Sequence, residues 1–292
     1  ASLETSAARV GSGMEGFYGT TISDLTAGET YYYRLRSTNK SNAKGIMGSN
    51  LKLWLDGSDT ASVSQYSNTV TSWNDKSGNG FQLQSVGDPS TGTRSLDGKN
   101  VIDFDGDDYF ESATGYPTGN DFSFLMVSGI DAINHVNDSI FCIRQSTGQP
   151  SFQIDAQDSS SFRMRFQPTD MGTAKAFATS AKHGPSIYEF IFKDSTNLLE
   201  VFLNGSSLGT TAYTAVPNQS NKLLIFSNRA PDNQPDGFVA EMVGTASALQ
   251  ATERQAIEGY LAHKWGLNGS LSNDHPQKQS LTKQPKVSVS SI

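Results

Sequence analysis

The sequence predicts an all-β protein, a two-sheet antiparallel jelly-roll sandwich with one C-terminal helix packed on it. Three observations lead there. From Leu51 to about Phe238 the chain runs as short segments rich in β-formers, among them "LKLWLD", "VTSWND", "NVIDFDG", "FSFLMVSGI", "SIFCIRQ", "SFRMRFQ", "IYEFIFK", "LEVFLNG" and "KLLIFSN". Clusters of Gly, Asn, Asp, Ser and Pro separate them, with 27 glycines in 292 residues and only 17% charged residues, which suits a turn-rich β protein. Their spacing is irregular, which disfavours a solenoid or propeller and favours two packed sheets.

Taken in order, residues 1–48 differ from the rest. A turn is followed by an alternating run in which Tyr31, Tyr33 and Leu35 share one face and Tyr32, Arg34 and Arg36 the other. The wording "LTAGETYYYRLRSTN" (Leu25–Asn39) resembles the last two strands of a fibronectin type III domain. About 45 residues can hold a hairpin but not a two-sheet core, so this is a fibronectin-like fragment or docking hairpin. Residues 49–276 form the jelly roll.

Near its end, "LQATERQAIEGYLAHKWGLNG" places Ile257, Tyr260, Leu261, Lys264 and Trp265 on one helical face. Glu253 in the first turn and His263 and Lys264 in the last suit the helix dipole, and Gly266 can supply a left-handed cap. Residues 277–292 are polar and read as linker or tail. Trp54, Trp73 and Trp265 are expected in the core.

Composition removes several function classes. A net charge of −7 leaves no basic excess to replace phosphate counterions, which argues against nucleic acid. No apolar run reaches the roughly 18 residues a membrane span needs. The single Cys142 precludes an intrachain disulfide. The opening "ASLETSAARV" reads as an internal stretch of a longer exported chain.

The segments "LWLDGSD", "VTSWNDKSGNG", "VIDFDGDDYF", "VFLNGSSLGT" and "ERQAIEGYLAHKWGL" follow one another in that order. Over about residues 50–276 this resembles the concanavalin A-like lectin/glucanase superfamily, in the laminin G-like group of large exported bacterial proteins. One departure is Gln250, where the family usually has a Ser cap; Gln weakens the helix start by about 1 kcal/mol. The resemblance implies a jelly roll at a bacterial cell surface or outside the cell. It does not fix an activity, because the fold hosts lectins, glycosidases, lyases and adhesion modules.

Catalytic patterns are missing. A retaining glycosidase needs two carboxylates about 5–5.5 Å apart, and the strand pattern E-x-D-x-x-E is absent. Glu189, Glu200 and Glu241 are isolated on their strands and are expected to face solvent. Asp103 and Asp105 share a strand face, but their run ends in a Gly turn. The "Q-I-H" and "Y-x-K-x-G-x-Y" runs of uronate lyases are absent, as is G-x-S-x-G. His135, His183, His263 and His275 show no metal-ligand spacing.

Binding is better served. A glycan site needs an aromatic platform beside polar side chains. On "SFRMRFQ", Phe162, Met164 and Phe166 are expected in the core, which sends Arg163 and Arg165 to the opposite face with Arg144 near them. Guanidinium groups there could hold uronate or sulfate. Tyr109, Tyr116, Phe152 and Tyr213 are the candidate platforms.

In "WNDKSGNG", Asp75, Ser77 and Asn79 follow the opening of an EF-hand loop, but Val86 stands where its bidentate Glu belongs. A structural calcium would draw further ligands from Asp56, Asp59, Asp103, Asp105, Asp107 or Asp108. The competing reading is a tight turn capped by its own side chains. The expectation is a non-catalytic carbohydrate-binding or adhesion module. A polysaccharide lyase or glycosidase and a calcium-stabilised adhesin spacer are the alternatives.

Overall fold

The computed structural model describes residues 8–10, 17–19, 42–115, 121–135, 138–144, 150–158, 161–166, 175–178, 184–212, 222–228 and 234–278. Within these, residues 8–10, 17–19, 144, 150–151, 157–158, 161–166 and 175–178 are described in backbone alone. The chain divides into two compact units, Ala1–Asn39 and Lys40–Ile292, so the division falls earlier than residue 48. In the first unit β1 (Ala8–Val10) pairs antiparallel with β2 (Phe17–Gly19). The alternating run Tyr31–Arg36 lies outside the described residues.

The second unit opens with a short helix, α1 (Ala43–Met47), whose Asn42 side chain accepts the Gly45 N–H at 2.9 Å. The strands that follow are β3 (Leu51–Asp56), β4 (Val63–Tyr66), β5 (Thr69–Asn74), β6 (Gln82–Val86), β7 (Ser90–Leu96), β8 (Lys99–Asp105) and β9 (Tyr109–Gly115). Next come β10 (Phe122–Ala132), β11 (Asp138–Arg144), β12 (Pro150–Asp158), β13 (Ser161–Phe166) and β14 (Lys175–Ala178). The series ends with β15 (Ser186–Lys193), β16 (Leu198–Leu203), β17 (Ser206–Ala212), β18 (Lys222–Ile225) and β19 (Asp236–Thr245), before the helix α2 (Ala251–Lys264).

All the described pairings are antiparallel, and they form two layers. One runs β17–β16–β15–β10–β19–β3. The other runs β14–β13–β12–β11–β18–β9–β6–β5–β4. The β7–β8 hairpin joins them: β8 pairs with the first half of β19, and Ser90 on β7 pairs with Thr69 on β5. Two tight hairpins show why their sequences turn there. Asn204–Gly205 and Asp97–Gly98 both adopt positive φ (50° and 76°; 49° and 72°), the twist a two-residue hairpin requires.

Strand alternation divides the apolar residues between two cores. Leu53, Leu55, Trp73, Phe104, Phe110, Phe124, Met126, Phe141 and Phe152 fill the space between the sheets. There Phe104 stacks on Phe226 with centroids 4.4 Å apart, and Phe122 on Phe192 at 4.0 Å. Trp54, Leu125, Val127, Ile187, Ile191 and Val243 point the other way and pack with Ile257, Leu261, Ala262 and Trp265 of the helical segment. Strand β10 is therefore buried on both faces from Phe122 to Ile130, which explains its unbroken apolar text.

Helix α2 is the predicted one. Trp265 is fully buried. Gly266 has φ +70°, and the Leu267 N–H closes on the Ala262 carbonyl at 2.7 Å, a left-handed termination. At the start, the Glu253 carboxylate accepts the Gln250 N–H at 3.2 Å, which partly offsets the weak cap.

Candidate functional site

Each sheet has an outer face. The six-stranded sheet lies under α2, and its carboxylates are sealed. Glu241 on β19, expected to face solvent, is fully buried. Its Oε1 accepts from Trp54 Nε1 at 2.6 Å and from the Tyr260 hydroxyl at 2.7 Å; its Oε2 accepts from Trp265 Nε1 and Lys264 Nζ, both at 2.7 Å. Asp56, its register partner on β3, takes Lys264 Nζ and Lys76 Nζ on its two oxygens, each at 2.7 Å, and Lys76 also reaches Asp59 at 2.7 Å. Burial raises the Asp56 carboxyl, but Lys264 and Lys76 outweigh it and hold the group below the usual aspartate range. Burial pushes Glu241 up despite Lys264. This is a saturated lattice with no oxygen left for a substrate.

A second sealed group lies further along the same face. Glu189 on β15, also expected at the surface, is fully buried and neither oxygen has a hydrogen-bond partner. Arg254 Nη1 stands 3.8 Å from it. Glu258, equally buried, takes Arg254 on one oxygen and His275 Nε2 at 2.7 Å on the other. Burial, reinforced by Glu258 beside it, pushes the Glu189 carboxyl well above its usual value of 4.5. The outward expectation failed for both glutamates because helix α2 converts this outer face into a second interior. Glu200 does reach the surface region, paired with Lys193 at 2.8 Å.

The loop "WNDKSGNG" clamps the free edge of β3. Asp75 Oδ1 accepts the Trp54 and Ser77 N–H groups, both at 2.8 Å, and Ser77 Oγ donates to Asp75 Oδ2 at 2.5 Å. Asn79 Nδ2 donates to the Leu51 carbonyl at 3.1 Å, and the Lys76 N–H to the Trp54 carbonyl at 2.8 Å. These side chains satisfy an otherwise unpaired strand edge. Of the five residues named as metal ligands, Asp75, Ser77 and Asn79 come together through hydrogen bonds to one another and to the β3 backbone, whereas Asp56 faces two ammonium groups and Asp105 lies beside Asp107.

Among the described residues, the acidic side chains that do converge are Asp88, Asp107 and Asp108, whose oxygens lie within 4.8 Å of one another. Asp108 is buried and accepts the Asp88 N–H at 2.6 Å; burial, with Asp105 and Asp88 nearby, pushes it up to about 7. Next to it Arg94 bridges Asp103, at 3.1 Å, and Asp131.

The outer face of the nine-stranded sheet is built differently. Ser64, Ser72, Gln84, Glu111, Leu224, Cys142, Gln153 and Arg165 stand in one unbroken register row across β4, β5, β6, β9, β18, β11, β12 and β13. Beside the row, Asp155 accepts from Ser139 Oγ at 2.7 Å and from Gln153 Nε2. The backbone of Arg163 stands opposite Asp155, and that of Arg144 opposite Lys222, whose Nζ pairs with Glu111. The topology thus places Arg144 on β11 and Arg163 and Arg165 on β13, the two strands that flank β12 in one sheet.

The aromatic candidates fare differently. Tyr109 is 8% exposed, packed with Cys142 and Leu224, and Phe152 is fully buried between the sheets, so neither presents an open ring. Tyr116 and Tyr213 lie outside the described residues, as does His183. The sequence reading passed over Tyr66, which is 84% exposed at the tip of the β4–β5 hairpin. It also passed over Arg254 and Glu258, four apart on a face shared with apolar residues, a spacing that signals a buried pair.

No family model matches the sequence, and no curated protein matches it. Solved structures do. A botulinum neurotoxin type G receptor-binding domain is 13% identical with a TM-score of 0.52, over 74% of this chain and 52% of that one. A Trypanosoma rangeli sialidase in complex with sialic acid is 14% identical with a TM-score of 0.53, over 75% and 34%. A botulinum neurotoxin type C structure, described as dependent for cell entry on two ganglioside molecules, is 12% identical with a TM-score of 0.51, over 73% and 51%. This chain spans about half the length of the toxin chains and about a third of the sialidase. The likeness is one of fold alone: an all-β antiparallel jelly-roll sandwich.

Proposed function

We propose that this chain is a non-catalytic carbohydrate-binding module of a larger secreted or cell-surface bacterial protein, of laminin G-like kinship, that recognises acidic polysaccharide. The carrying observation is the asymmetry of the two outer faces. Glu189, Glu241 and Glu258 are locked under α2. The outer row of the other sheet is exposed at Ser64 and Gln84, half-buried at Glu111, and buried at Ser72, Leu224, Cys142 and Gln153, with the backbones of Arg144, Arg163 and Arg165 on the strands beside Gln153. Arg144, Arg163 and Arg165 supply planar donors for carboxylate or sulfate. Among the similar structures, the neurotoxin that depends on gangliosides for cell entry and the sialidase in complex with sialic acid support an acidic glycan as the ligand class.

The test is retention of wild type and Arg163→Ala/Arg165→Ala in gels containing alginate. The double variant should lose retention while its melting temperature stays nearly unchanged. Equal retention removes those residues from the site, and release of reducing ends or unsaturated uronates by the wild type contradicts a non-catalytic module. Calcium enters the proposal as a structural ion at Asp88, Asp107 and Asp108, where it would offset the mutual repulsion of three carboxylates within 4.8 Å of one another. A melting temperature that is the same in calcium and in chelator removes it.

A further inference from the structure

Strands β4, β5 and β6, the far end of the nine-stranded sheet, contain no Asp, Glu, Lys or Arg, although the chain as a whole carries 22 basic and 29 acidic residues. The solvent-facing side chains there are hydroxyls and amides: Ser64, Gln65, Thr71, Gln82 and Gln84. An edge strand normally carries a charge to discourage pairing with other chains, and β4 has none. At its tip stands Tyr66, 84% exposed; the other large apolar side chain exposed among the described residues is Val86, on β6.

The tip is held still. Ser67 adopts a left-handed φ of 55° in the two-residue turn. The Val70 N–H donates to the Pro89 carbonyl at 2.7 Å, and the Thr91 N–H to the Asn68 carbonyl at 2.8 Å, tying both sides of the turn to the segment before and at the start of β7. Ser90 Oγ and Thr93 Oγ1 share a hydrogen bond of 2.8 Å beside it. Tyr66 is therefore presented on a backbone that loses little freedom on binding.

From this juxtaposition we infer that Tyr66 and the uncharged β4–β6 surface form a second glycan subsite, selective for neutral sugar residues. An exposed ring meets the apolar C–H face of a pyranose, and the surrounding amides and hydroxyls both donate and accept to its hydroxyl rim. Strands β4, β5 and β6 carry no charge of their own to favour an anion, the nearest in the register row being Glu111 on β9, which pairs with Lys222. The inference rests on the carbohydrate-binding reading and extends it. The sheet would take the acidic residues of a mixed chain at its Arg end and the neutral residues at its Tyr66 end.

The experiment is affinity electrophoresis of wild type, Tyr66→Ala, Tyr66→Phe and Arg163→Ala/Arg165→Ala in gels containing galactomannan or alginate. Tyr66→Ala should weaken retention on galactomannan about three- to tenfold, the range expected from loss of an aromatic contact, and leave alginate retention unchanged. Tyr66→Phe, which keeps the ring, should stay close to wild type on both. Unchanged galactomannan retention by Tyr66→Ala overturns the subsite while wild-type binding to alginate keeps the wider reading. Wild type retained by neither polymer overturns both. A wild type that sediments as a dimer and a Tyr66→Ala variant that sediments as a monomer, with equal retention, assigns the surface to a second copy and also overturns the subsite.

Discussion

The two outer faces start from the same strand chemistry and end in opposite states. On the six-stranded sheet the residues opposite the sandwich core are covered by α2, so that even Glu189, Glu241 and Glu258 are fully buried. On the nine-stranded sheet the corresponding row buries Ser72, Leu224, Cys142 and Gln153 but keeps Gln84 exposed and Glu111 half-buried, and Tyr66 stands in solvent at the sheet's end. A carboxylate under the helix is part of the fold, while the amides and hydroxyls of Ser64, Gln82 and Gln84 on the other sheet face solvent. Residue type alone does not separate structural from functional polar groups; what covers the strand does.

The largest expected effect breaks the covered face. Glu241→Ala leaves two indole N–H groups and the Tyr260 hydroxyl without their acceptor and removes one of the two carboxylates that hold Lys264. Breaking such a buried pair by removing one partner destabilises by about 3–5 kcal/mol. Chemical denaturation should show that loss, and a smaller one for Glu241→Gln; a change under about 1 kcal/mol for both would mean the lattice holds nothing together.

The second effect is a pH dependence. The folded chain keeps a proton on Glu189 that the unfolded chain releases from about pH 4.5 upward. The associated stabilisation is complete below that value and is lost as pH rises toward the folded pKa, at up to about 1.4 kcal/mol per pH unit. Gln mimics the neutral acid, so Glu189→Gln should melt above wild type by a margin that widens as pH rises above about 4.5. A margin that is constant, or narrows, contradicts the proton assignment.

The smallest effect concerns the loop. Asp75→Ala removes the acceptor for the Trp54 and Ser77 N–H groups and should lower stability by about 1–3 kcal/mol. Melting of both proteins with and without calcium should show the same difference; a difference confined to calcium would revive the loop as an ion site.

Much of the frame was legible in the chain. Period-two alternation found the strands, and the spacing of Ile257, Leu261 and Trp265 found the helix and its buried face. The partners were not legible. Trp54 and Glu241 are 187 residues apart, and Asp75 reaches back 21 residues to β3, so only strand order brings them together. A lone Glu inside the apolar run "GFVAEMVG" was a signal of a buried ion pair, but alternation alone placed it outward. For Arg163 and Arg165 only the register is described: their backbones stand opposite Asp155 and Gln153 of β12.

The central claim is that glycans meet the outer face of the nine-stranded sheet and that the helix-covered carboxylates take no part. Hydrogen exchange of the intact chain with and without alginate tests it directly. Added protection on β9, β18, β11 and β12, with α2 and β19 unchanged, is the predicted result; protection centred on α2 and β19, or none anywhere, would contradict it.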